Sequence, residues 1–162
     1  MNNKQVEAII QDAIQEFGQL EILVEQVGST SPMSKYLTKY ALIKACGTIE
    51  YAYKNIIADY HNQASPQIRN FIDNMVRESP QNPSLDNIRS TLKKFDLVWR
   101  DNFNNELKTH SNKDKLTLSL NSLNNERNAF AHGGNCSATF HNIQDYFTDA
   151  LEIINILDRV VV

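Results

Sequence analysis

Arg127, Asn128 and His132 belong to the stretch Asn124-Asn125-Glu126-Arg127-Asn128-Ala129-Phe130-Ala131-His132-Gly133-Gly134, the densest cluster of chemically useful side chains in the sequence. Leu116, Leu120, Leu123, Arg127 and Phe130 recur at spacings of 4, 3, 4 and 3, which traces one face of a helix. Arg127 therefore occupies a place where an apolar residue belongs. A guanidinium does not escape burial by losing its proton, so either the chain supplies a carboxylate or a phosphate approaches. His132, a titratable proton carrier, follows five residues later, and Gly133-Gly134 then ends the helix. On an ideal helix positions i and i+5 differ by about 140°, so the two side chains border one groove only if the last turn loosens.

The rest of the chain must position that stretch. Val6, Ile9, Ile10, Ala13, Phe17, Leu20, Val24 and Val27 give a helical period from Gln5 to about Val27. Gly28 to Pro32 breaks it, and a second helix is expected from a Ser34 cap to about His61. On that helix Ile43, Cys46, Glu50, Tyr53 and Ile57 share a stripe, which makes Glu50 a charge on an apolar face. Glu50 and Arg127 are the natural candidates to resolve one another as a buried ion pair. Ser65-Pro66 opens a third helix that stops before Pro80, and Pro80-Gln-Asn-Pro83 is a loop. Ser84 caps a fourth helix through Phe95. Val98 to Leu107 either continues it or forms a separate helix, and the pattern near Phe95 to Trp99 does not place a break. Lys108 to Asp114 reads as a polar loop, with the Arg127 helix entered from Ser111. A last helix spans about Ser137 to Val161. The expected fold is all-α, a bundle of five to seven helices in one domain over residues 1–162.

With 162 residues, 41% of them apolar, the chain is long enough for a real core. Its net charge of -3 argues against a protein that coats nucleic acid through overall basicity; RNA recognition would need a local positive site. Cys46 and Cys136 lack paired spacing, the N-terminus has no apolar signal core, and no segment approaches the ~20 apolar residues of a membrane span. A cytoplasmic location with free thiols is the expectation. Asn135-Cys136-Ser137 matches a glycosylation sequon but carries no weight without a secretory signal.

Other chemistries are poorer fits. His132, Cys136 and His141 have the spacing H-x3-C-x4-H across a helix terminus and lack a fourth ligand, so no metal and no cofactor is expected. Cys136 as a nucleophile has no third group to orient it. Lys108, His110, Lys113 and Lys115 read as a solvated loop, with an RNA-backbone contact as the alternative, and Tyr51, Tyr53, Trp99 and Phe103 as core aromatics, of which any exposed one could stack a base. A structural arginine with an incidental histidine near the helix end remains the plain alternative for Arg127 and His132.

Arg127-Asn-Ala-Phe-Ala-His132 resembles the R-x4-6-H signature of the HEPN superfamily. Ala45 to Tyr53, Leu92-x-x-Phe95-x-x-x-Trp99-x-x-x-Phe103 and Leu123-x-x-Glu126-Arg-Asn resemble members of the RiboL-PSP type. The resemblance implies a helical bundle that dimerises with its two motifs meeting across a two-fold axis. It also implies, for many members, a metal-independent endoribonuclease of a toxin–antitoxin, phage-defence or RNA-processing system. Arg127 and His132 would then be catalytic, with Asn128 the polar residue that commonly follows the arginine; Glu50 as the orienting partner of Arg127 comes from the stripes. The expected partners are RNA, a second copy of the chain and an antitoxin or defence protein, with no membrane. A dimer surface is expected from the apolar remainder of the Arg127 helix and the last helix. The alternative within the same family is a non-catalytic module that dimerises and binds RNA, a nucleotide or a partner protein.

Overall fold

The computed structural model describes residues 1–162 and contains seven α-helices and no strand. They are α1 (Lys4–Val27), α2 (Pro32–Asp59), α3 (Pro66–Ile72), α4 (Leu85–Phe95), α5 (Leu97–Thr109), α6 (Lys113–Ala131) and α7 (Phe140–Val160). A single π-helical turn, Asp73–Arg77, extends α3. The all-α bundle expected from the sequence is what the chain forms.

Local chemistry sets the helix ends. Asn3, Ser65, Ser84 and Thr139 each accept a backbone N–H of their helix's first turn, and Thr139 completes a reciprocal capping box with Asn142. The cap of α2 is Ser31 rather than Ser34: the Ser31 hydroxyl accepts the Ser34 N–H at 3.1 Å, and Pro32 takes the first helical position. The break that periodicity left open falls at Asp96. Its backbone is extended (φ -151°, ψ 123°), and its carboxylate accepts the Val98 N–H at 2.6 Å to start α5. The loop between α5 and α6 is only His110 to Asn112, with Lys108 in the last turn of α5 and Lys115 already helical.

The core is one cluster of 34 buried residues drawn from α1, α2, α4, α5, α6 and α7. α7 lies at its centre, packed against α2, α6 and α5, while α1 packs on α2. Phe17 of α1 stacks on Phe147 of α7 at 4.7 Å between ring centres. Leu120 and Leu123 of α6 are wholly buried, and truncating leucines so placed costs about 2–5 kcal/mol each. This packing corrects the expected dimer surface: the apolar faces of α6 and α7 are consumed inside the chain, and Leu118 is the one large apolar side chain exposed on α6. The large apolar side chains left in solvent lie mainly on α1 and α2, at Ile9, Tyr36, Tyr40 and Ile43, and around α3, at Phe71 and Met75.

Three polar attachments fix α6 along its length. Near its start, buried Asp149 of α7 accepts the Ser119 hydroxyl at 2.6 Å and the Lys115 ammonium at 2.8 Å. In the middle the Cys46 thiol of α2 lies 3.7 Å from the Leu123 carbonyl. Further on, the buried Asn124 carboxamide donates to the Pro83 carbonyl at 3.1 Å and to the Leu120 carbonyl at 2.9 Å. The Pro80–Pro83 loop is thereby clamped beside the last two turns of α6.

Candidate functional site

The end of α6 is a tightly specified structure. The Gly134 N–H bonds the Ala129 carbonyl at 2.8 Å and the Gly133 N–H bonds the Phe130 carbonyl at 3.1 Å, the paired bonds of a Schellman termination. Gly133 takes φ +81°, a left-handed angle that costs a side-chain-bearing residue about 1–2 kcal/mol. At Gly134 a Cβ would come within 2.8 Å of the Ala129 carbonyl oxygen, so this position also needs glycine, by close approach. His132 is the C-cap residue itself; its N–H bonds the Asn128 carbonyl at 3.1 Å and it is exposed. Its imidazole is thus presented to solvent from a fixed backbone.

The connection to α7 is held back on α6 by Glu126. That carboxylate accepts the Ser137 N–H at 2.8 Å and also the Ser137 hydroxyl. Burial raises its pKa, but the hydrogen bonds from Ser137 outweigh burial and keep it below the usual carboxylate range. Cys136, in the same connection, has its thiol pushed up to about 11 by burial and by Glu126. A thiol held protonated is a poor nucleophile, which removes physical support from a Cys136 mechanism.

Arg127 is half-buried one turn before His132. Its Nη1 donates to the Asn82 carboxamide oxygen at 2.7 Å, and the Asn82 amide in turn donates to the Asn128 oxygen at 2.8 Å. The Asn82 backbone carbonyl accepts the Asn87 side chain at 2.8 Å and the Ser84 N–H at 2.8 Å, which fixes the loop from the α4 side. Asn82 was invisible to periodicity because loop residues have none. The only hint was that its prolines, Pro80 and Pro83, stiffen it.

The expected Glu50–Arg127 ion pair is not formed. Glu50 Oε1 instead holds the buried Lys54 ammonium at 2.5 Å, one turn along α2, and Lys54 also donates to the Ser79 carbonyl. The physical reason is reach: an i, i+4 pair on one helix closes without crossing between helices, and it satisfies a lysine that is 5% exposed. Both Glu50 and Arg127 still face the same neighbourhood. Burial pushes the Cys46 thiol up to about 12, while the Arg127 charge pulls it down and the Glu50 charge pushes it up. Arg127 is left as a half-buried cation whose one hydrogen-bond partner is a neutral amide. His132, Cys136 and His141 do not gather into a metal-ligating cluster.

The chain is an all-α bundle whose sixth helix carries Arg127 and ends at His132. The chain belongs to the RiboL-PSP-HEPN family, whose model matches residues 8–162. Comparison with curated proteins and with solved structures gave no match. No helix is long and apolar enough to cross a membrane.

Proposed function

We propose that the chain is a metal-independent endoribonuclease that acts as a two-fold homodimer, with Arg127 and His132 of both copies around one cleft. The observation that carries this reading is the missing counterion of Arg127. No carboxylate of the chain pairs with Arg127, and its half-exposed guanidinium, held at one nitrogen by Asn82, keeps donors free for an incoming phosphate.

The chemistry follows from what RNA already contains. The substrate's 2′-OH attacks the adjacent phosphorus, a base takes the hydroxyl proton, and the P–O5′ bond breaks as an acid protonates the leaving oxygen. The products are a 2′,3′-cyclic phosphate and a 5′-hydroxyl. One histidine fills one of the two proton-transfer roles at a time, so two copies of His132 make a sufficient set. Arg127 stabilises charge on the phosphorane oxygens. Asn128 acts through Asn82, which it holds against Arg127, and is a positioning residue; Glu50 fixes Lys54 and the Ser79 end of the same loop. Pairing Arg127 and His132 in one cleft concentrates positive charge locally on a chain whose net charge is -3. Such an activity suits a toxin or phage-defence effector kept in check by a partner protein.

The test incubates purified protein with total RNA in the presence of a chelator and maps the cut ends. Cleavage leaving cyclic phosphate, abolished in His132→Ala, supports the reading. RNA binding without cleavage would replace it with the non-catalytic family module.

A further inference from the structure

A cavity of about 590 Å³ lies not at Arg127 but beside it, between the start of α2 and the connection from α6 to α7. Its volume lies in the range of ligand sites. Ser34, Lys35, Lys39, Thr139 and His141 line it, so the positive ends of two helices, α2 and α7, add to the field of two lysines. The other lysines of α2, Lys44 and Lys54, are neutralised by Glu16 and Glu50; Lys35 and Lys39 pair with no carboxylate. Ser34 is 3% exposed, its N–H and carbonyl are bonded, and its hydroxyl has no partner in the chain. Ser34 lines the cavity, so its hydroxyl is free to donate to an incoming acceptor. Two carboxylates temper this charge: Glu21, 3.9 Å from His141, and Glu126, which accepts the N–H of the lining residue Ser137 at 2.8 Å.

An aromatic surface adjoins these cations. Lys35-Tyr36-Leu37-Thr38-Lys39-Tyr40 alternates lysine and tyrosine at helical spacing. Tyr36 is 69% exposed, and the Lys39 ammonium lies 5.9 Å from its ring centre and 5.4 Å from that of Phe130. Lys39 thus spans from the cavity to the last turn of the Arg127 helix. Asn135, at the cavity edge, is three residues from His132, at most about 10 Å along the chain.

We propose that this cavity is a phosphate subsite for single-stranded RNA, gripping the backbone next to the nucleotide at Arg127 and His132, with Tyr36 as a stacking platform for the adjoining base. The inference rests on the RNA reading above and extends it to the flanking strand. A basic groove with an exposed aromatic is the combination by which proteins hold single strands.

The test uses the whole chain and a short single-stranded RNA whose 2′-hydroxyls are all methylated, so that it binds but does not react. A 2-aminopurine base reports stacking by fluorescence quenching. Tyr36→Ala should weaken binding roughly tenfold and lose the quenching, while Tyr36→Phe keeps both. Joint Lys35→Ala and Lys39→Ala substitution should flatten the slope of log affinity against log salt by about 1.4, two phosphate contacts at about 0.7 each. Lys93→Ala with Lys94→Ala, on α4, should leave the slope unchanged. An unchanged slope in the Lys35/Lys39 variant, an equal change in the α4 variant, or quenching that survives Tyr36→Ala overturns the subsite. Binding of a 5′-mononucleotide as tight as the oligomer overturns it in favour of a free-nucleotide pocket. Cleavage of unmodified RNA is scored separately. Cutting without these dependences sinks the subsite alone, and these dependences without cutting sink the nuclease reading alone.

Discussion

The Arg127 guanidinium rests on the Asn82 carboxamide at 2.7 Å, a contact between the last turns of α6 and the loop that precedes α4. Because Asn82 also donates to Asn128, one loop residue orients both polar side chains of the motif. Asn82→Ala removes that support without touching Arg127 or His132. Cleavage should fall by about ten- to a hundredfold with the fold unchanged, since misplacing a reacting group by about 1 Å has that effect. Single-turnover kinetics beside a circular dichroism melt checks it, and wild-type rates in Asn82→Ala would refute the positioning role.

Arg127→Ala leaves no carboxylate orphaned, because Glu50 keeps Lys54. The expected cost is about 1 kcal/mol, one hydrogen bond with a half-buried partner, together with loss of cleavage. Lys54→Ala is expected to be worse for stability, about 2 kcal/mol. It strips the Glu50 partner and leaves the Ser79 carbonyl unpaired, though partial solvent at Glu50 keeps the cost below that of a fully buried pair. Urea unfolding of the two variants should therefore rank them in that order; the reverse order would reinstate Glu50 as the partner of Arg127.

His132→Ala should change stability by less than about 0.5 kcal/mol, because the side chain is exposed and the helix end is held by backbone bonds. Gly133→Ala should cost about 1–2 kcal/mol through its positive φ. Gly134→Ala must push against the Ala129 carbonyl and open the termination. Both glycine variants are expected to lower cleavage more than they lower the melting temperature. A Gly134→Ala protein with full activity would show that the helix end need not be fixed.

His61 gives the fold a pH dependence apart from the site. Burial lowers its pKa from the ordinary histidine value of 6.5; the Nε2 has no partner, and the ring stacks on Phe95 at 5.1 Å. The unfolded chain binds this proton more readily than the folded one, so the contribution is complete above pH 6.5 and is lost as pH falls toward the depressed folded value. Melting temperature should decline below about pH 6.5 in the wild type. In His61→Phe that decline should be shallower; identical pH profiles would show that His61 does not contribute.

The chain's own residues determined the helices, because local rules act over a few positions. Apolar periodicity placed Leu116, Leu120 and Leu123 on a buried face, and the serine caps before Pro66 and Leu85 fixed two starts. Gly133-Gly134 fixed the end that presents His132. Tertiary structure decided what the exceptional residues meet. Whether Glu50 turned to Arg127 or to Lys54 depended on a distance between helices that spacing does not encode, and Asn82 reached Arg127 from a loop 45 residues away. The basic cavity likewise exists only because the start of α2 lies against the start of α7. Local hydrogen bonding writes helix boundaries into neighbouring residues, whereas the partner of a charge on a helix face is set by which elements the core brings together.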